Sequence, residues 1–167
     1  MSTTNILRLP LHFSSSEFAY EDYKDFSGGT NLYRPKAWYF SNANDGLAYG
    51  SAIIPESFDV AATAKVRLLF ASPVAGAAGE NVKFEFNYRT YTNADSADPA
   101  SSEEAVSVTT SIASIAAKTW ILAEMDITEA NWNPGHFIEY RLNRNNAVTG
   151  NQAQIIMVGG LWLKAGF

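Results

Sequence analysis

The side chains best equipped for acid–base or nucleophilic chemistry are two histidines, His12 and His136, and a surplus of carboxylates; cysteine is absent. Thiolate nucleophiles, disulfides and cysteine-ligated zinc are therefore excluded. A serine nucleophile of the hydrolase type needs the strained Gly-x-Ser-x-Gly turn. Gly50-Ser51-Ala52 lies in a predicted strand and lacks the second glycine. There is no His-Glu-x-x-His pair, no Gly-x-x-x-x-Gly-Lys-Ser/Thr phosphate cradle and no Gly-x-Gly-x-x-Gly turn; Gly28-Gly29 reads as a bend. Glycoside hydrolysis needs two carboxyls facing each other about 5–9.5 Å apart. Glu85 and Glu139 point to the polar faces of their predicted strands, and Glu124 and Asp126 share a face of another. Nothing in their spacing brings a specific pair together. The stretch Asn93 to Glu104 is small, polar and acidic, without the spacing of a calcium loop, and reads as a solvated connection between strands. The sequence thus predicts no catalytic residue, no metal ligand and no cofactor.

Sugar recognition asks for less, because pyranose rings stack on exposed aromatic faces while a few polar groups fix their orientation. Trp38, Trp120 and Trp162 fall in predicted strands and are expected to fill the core. Trp132 sits in the irregular run Asn131-Trp132-Asn133-Pro134, which makes it, with Asn131 and Asn133, the expected glycan platform.

The elements that must position these groups are strands. Val82 to Arg89 alternates large apolar with polar residues, the period-two signature of a strand with one buried face. Related runs are Ala64 to Ala71, Ala105 to Thr110, Trp120 to Ile127, His136 to Leu142 and Gln154 to Lys164. Weaker ones are Ile6 to Phe13, Ala37 to Ser41 and Leu47 to Ile54. Turn residues separate them, among them Gly79-Glu80-Asn81, Pro134-Gly135 and Thr149-Gly150-Asn151. Ser111 to Lys118 reads as a loop or one helical turn. The fold expected is all-β: an antiparallel jelly-roll-like β-sandwich of about eight strands over residues 37–167. An irregular N-terminal arm over residues 1–36 precedes it.

That arm carries Phe13, Phe18, Tyr20, Tyr23, Phe26 and Tyr33. Disordered tails are poor in aromatics, so these rings need a surface, either their own sandwich or a neighbouring subunit. Charged residues are only 17% of the 167, below the ~25% of ordinary globular chains. Interface cores are depleted in charge, and a surface turned toward other protein is one reading of that figure. The net charge of −5 disfavours nucleic acid as a partner. The first ten residues lack the pattern of a secretory signal, and no apolar run reaches the ~18 residues of a membrane span, so no membrane partner is expected.

Three stretches carry a resemblance: Gly46 to Gly50 through Pro55-Glu56-Ser57-Phe58-Asp59, Lys65 to Phe70 followed by Val82 to Tyr88, and Pro134-Gly135-His136 leading to Tyr140-Arg141-Leu142-Asn143-Arg144 and Thr149-Gly150-Asn151. Together they resemble small virion proteins of tailed bacteriophages over Trp38 to Lys164. The resemblance implies a non-enzymatic capsid decoration or cement protein in the virion, synthesised in the host cytoplasm. It also implies the major capsid protein as partner and self-association, as a homotrimer, with the arm aromatics as interface anchors. Its alternative is a carbohydrate-binding, host-recognition module of a head fibre or tail appendage, with Trp132 at its centre. Related sequences carry an acidic loop after the arginine-bearing strand; here it reads Asn145-Asn146-Ala147-Val148, which argues against a metal there.

Overall fold

Alternation in the sequence decides the architecture. In the strands that read most clearly as period two, β4 (Ala64–Ala71), β5 (Asn81–Tyr91) and β8 (Phe137–Asn145), every second side chain is buried through most of the strand. The remaining strands are β1 (Asn5–Arg8), β2 (Trp38–Phe40), β3 (Gly46–Ile53), β6 (Glu104–Ser111), β7 (Ile121–Asp126) and β9 (Ile156–Ala165). This is a computed structural model, which describes residues 5–12, 38–41, 46–58, 64–91, 103–128 and 132–165. The arm aromatics Phe13, Phe18, Tyr20, Tyr23, Phe26 and Tyr33, and Asn131, lie outside the described residues.

The nine strands form two antiparallel sheets. Sheet A runs β1-β9-β4-β7, with β2 also on β9; sheet B runs β3-β8-β5-β6. β1 pairs with residues 162–165 of β9 and β2 with residues 156–158 of the same strand, so the two make one edge strand interrupted by the chain between them. From β2 onward only β5 and β6 are neighbours in both sequence and sheet; every other connection changes sheets. That is jelly-roll winding, and the all-β expectation holds. Ser111 to Lys118 is a loop, bridged to Gly76 through Ala113. Residues 5–12 belong to the sandwich. β1 is hydrogen-bonded into sheet A, Leu9 and Leu11 are buried in the core, and His12 exchanges two 2.7 Å backbone hydrogen bonds with Tyr49 of sheet B. The strand expected at Ile6 to Phe13 is thus the four residues of β1 plus a crossing between sheets.

The core is one cluster between the sheets, rich in aromatics. Phe84 meets Phe40 edge-on at 5.9 Å and Phe70 at 5.4 Å. Farther along β5, Phe86 packs against Tyr140 at 5.5 Å and Trp132 at 6.4 Å, and Tyr88 against Trp132 at 4.9 Å. Such pairs contribute roughly 0.5–1.5 kcal/mol each beyond the area they bury.

The opposite end of the sandwich is closed by polar groups. Arg144 ends the inner-facing row of β8 and is fully buried. Its guanidinium donates to the carbonyls of Phe40 (3.1 Å), Gln154 (2.6 Å) and Gln152, and to Asn151 Oδ1 (3.4 Å). Burial pushes its pKa down to about 10, so it stays charged at neutral pH. Asn81 Nδ2 donates to the carbonyls of Gly79 and Thr149, and Gln152 Nε2 to Glu80. Gly150, at φ +71°, is required twice over: a Cβ there would also stand 2.0 Å from the carbonyl oxygen of Gly79. Arg144→Ala removes the donor that the Phe40, Gln152 and Gln154 carbonyls share. It is expected to cost roughly 3–5 kcal/mol, read as a lower urea midpoint in unfolding followed by tryptophan fluorescence.

Candidate functional site

The outward residues of sheet B form rows across its strands, because antiparallel register puts partners side by side. One row is Tyr49, Arg141, Asn87; the next is Ser51, Glu139, Arg89; the third is Ile53, Phe137, Tyr91. The first two rows, with His12 and Glu103 at the rim, line an open cleft of about 600 Å³. The third row borders it with apolar surface: Ile53 is 66% exposed, Phe137 40%, and the Phe137 and Tyr91 rings lie 6.0 Å apart. Tyr49, 39% exposed, stands at the other side. Four residues of β8 separate its row from that of Phe137, roughly 13 Å at ~3.4 Å per residue.

Three of the charges in the cleft, those of Arg141, Glu103 and Glu139, are held in place. Arg141 grips Glu103 with two bonds, Nε to Oε1 at 2.9 Å and a terminal nitrogen to Oε2 at 3.1 Å, the bidentate geometry that a guanidinium and a carboxylate favour. Glu139 accepts a 2.9 Å hydrogen bond from the Tyr91 hydroxyl. Desolvation first, and then that bond, push the Tyr91 pKa up, so the phenol remains a donor. Just beyond the cleft, Glu85 takes bonds from Lys83 (2.9 Å) and Asn145 (2.5 Å). Burial alone would raise its pKa; the two partners outweigh it and hold the carboxyl below its usual range.

The rim is fixed from beneath. Tyr140 points inward from β8, and its hydroxyl donates to the Pro10 carbonyl at 2.6 Å. Burial raises its pKa, which keeps the proton for that bond. Gly50, opposite it in β3, leaves the space: a Cβ would sit 2.2 Å from Pro10 O and 2.5 Å from the Tyr140 ring. The glycine thus lets residues 9–12 press onto the sheet and bring His12 to the cleft.

Trp132 is a correction. It is 0% exposed, its ring against Phe86 and Tyr88 in the core, and it offers no platform. Although its backbone lies outside any strand, the ring joins the core cluster between the sheets. Trp120 also departs from expectation: it is 38% exposed, over Gly159 on the outer side of sheet A. Trp38 and Trp162 are half-buried. Asn133 closes the Pro134-Gly135 turn by accepting from the His136 backbone at 3.1 Å. Glu85 and Glu139 lie on the polar face as expected. Glu124 and Asp126 share a face too, on sheet A, where Lys65 binds both and Arg67 binds Glu124. The acidic loop does more than meet solvent at its end, since Glu103 takes Arg141 and Glu104 accepts the Tyr88 hydroxyl at 2.7 Å. The cleft itself was open to the sequence only as the polar half of two alternating strands; the register that aligns Tyr49, Arg141 and Asn87 was not. Among the described residues, no group of three or more acidic or histidine side chains is placed to hold a metal ion.

No family model and no curated protein matches the chain. Solved structures do, at low similarity. TmCBM61 in complex with β-1,4-galactotriose is 10% identical, with 96% of this chain and 86% of that one aligned at a TM-score of 0.39. CBM27-1 of Caldicellulosiruptor saccharolyticus, in complex with mannohexaose, is 15% identical, with 96% of each chain aligned at 0.39. The arabinose-bound α-L-arabinofuranosidase MgGH51 is 14% identical at 0.40, and this chain spans only 22% of its length. Of these three, two are carbohydrate-binding modules and one is a glycosidase. At this degree of likeness, function has to be argued from the chain's own cleft.

Trp132→Ala is expected to lower stability by roughly 3–5 kcal/mol through the cavity it leaves. The loss should appear as a lower urea midpoint in unfolding followed by circular dichroism.

Proposed function

We propose that the chain is a non-catalytic carbohydrate-binding module whose site is the outer face of sheet B. One observation carries the reading: a polar cleft built on paired strands, flanked about 13 Å apart by exposed aromatic surface at Tyr49 and at Phe137. Sugars ask for that combination, because a pyranose has apolar faces and a polar equator. The spacing suits a short oligosaccharide rather than a single ring. Ser51, Asn87 and Glu139 offer hydroxyl partners from three neighbouring strands, and a floor of paired strands needs little ordering on binding.

Hydrolysis is a poorer fit. A glycosidase needs one carboxyl free to deliver a proton and a second free to attack or activate water. In this cleft Glu103 is taken by Arg141 and Glu139 by Tyr91.

A second reading, attachment to another folded protein such as a virion shell, has a different observation behind it. The outer face of sheet A exposes Trp120 and Leu122 close to the strand end that holds Met157 and Tyr39. The capsid-decoration expectation placed its contacts on the arm aromatics, which lie outside the described residues. If this face is the contact, Leu122→Asp should abolish sedimentation with shell particles and leave glycan binding intact.

The cleft reading is tested by titrating galactan, mannan, arabinan and uronan oligosaccharides into the protein. Tyr49→Ala and Phe137→Ala are each expected to weaken the best ligand about tenfold, some 1.4 kcal/mol, with unfolding midpoints little changed. No reducing ends should appear on prolonged incubation. If none of these glycans binds, or if both variants bind like the parent, the cleft is not a glycan site.

A further inference from the structure

The charged groups of the cleft are not equally committed, and the difference names a ligand class. Arg141 is neutralised by Glu103 through two bonds. Glu139 receives the Tyr91 hydroxyl. Arg89 lines the same cleft and lies beside Glu139 in register; among the described residues it is in no ion pair with a carboxylate, and its guanidinium bears on the neutral Tyr91 hydroxyl. Its Nε is buried and has no hydrogen-bond partner. A buried donor left unmade is costly, and a guanidinium is built to take a planar anion with two nitrogens at once.

We infer that Arg89 receives the carboxylate of an acidic sugar, so that the cleft selects glycans carrying a uronic or sialic acid over neutral ones. This rests on the glycan-binding reading of the same face. The neighbourhood favours one carboxylate over a doubly charged group: Glu139 lies in the adjoining position and Glu103 at the rim, and both would repel a phosphate more strongly than a single negative charge. The same acids suit the rest of the ring, since Glu139 can accept from a hydroxyl while the carboxylate sits on Arg89. Ser51 and Asn87 flank the two. Apolar Phe137 and Tyr91 in the next row would meet the ring face.

The test pairs ligands that differ only in charge. Calorimetric titration of the intact protein compares oligogalacturonate with its methyl ester, which keeps ring and linkage but removes the charge, and adds an oligomer of sialic acid as the second acidic source. The acidic form of at least one is expected to bind at least tenfold more tightly than the neutral form, with an advantage that shrinks as salt rises from 50 to about 500 mM. Arg89→Gln should abolish that preference, bringing acid and ester to equal affinity, while Arg89→Lys should retain part of it. The parent protein's ester comparison stands even if a variant does not fold. Equal binding of acid and ester overturns the role of Arg89 and leaves the glycan site standing; binding of neither these nor any neutral oligosaccharide overturns both.

Discussion

The packing of Phe86 between Tyr140 and Trp132 is the contact on which the rest of this molecule depends. Phe86 and Tyr88 point inward from β5, and Asn87 and Arg89 point outward between and beyond them. On β8, Tyr140 points inward between Glu139 and Arg141. Asn87, Arg89, Glu139 and Arg141 are therefore each one peptide away from a ring locked in the core. Because interiors are close-packed, a shift of any outer residue would have to move a buried aromatic. The cleft owes its rigidity to the far side of its own sheet.

Tyr140 extends that coupling to the N-terminal crossing. Its hydroxyl reaches Pro10 only because Gly50 has no side chain, and the same contact seats Leu9 and Leu11 in the core and His12 on the edge of β3. Sheet A, sheet B and the cleft rim thus meet at one hydrogen bond. The edge strand made of β1 and β2 fits this picture. β1 hands the chain across to sheet B, and β2 takes it up again on sheet A.

Much of this was legible in the sequence. All nine runs read as strands are strands, or contain one, because alternation and turn residues are local signals and the tertiary structure agreed with them. What the sequence hid were facts about which element lies next to which. Trp132 looked exposed because its neighbours are asparagine and proline, but exposure depends on what the side chain packs against, and this ring packs on Phe86 and Tyr88. Trp120 looked buried for the opposite reason: it precedes an apolar strand, but on the side that faces away. The pairing of Glu103 with Arg141 spans 38 residues and follows from the hairpin of β5 and β6 lying beside β8, which no local pattern encodes.

Three arginines on adjoining strands show how environment assigns a role that residue type cannot. Arg144 is wholly buried, and carbonyl oxygens take its protons; it behaves as a cross-link between chain segments, and its charge is spread over dipoles. Arg141 is partly exposed and saturated by one carboxylate, so it fixes the position of Glu103 and contributes shape more than field. Arg89 lies between these cases. It is half-buried, so its charge is less screened than that of a surface residue, and among the described residues its fork meets the neutral Tyr91 hydroxyl rather than a carboxylate. Solvation of a guanidinium can be replaced by a protein partner or by a ligand. The first two have the protein partner, and the third faces the cleft, where replacement by a ligand brings attraction without first breaking an internal ion pair.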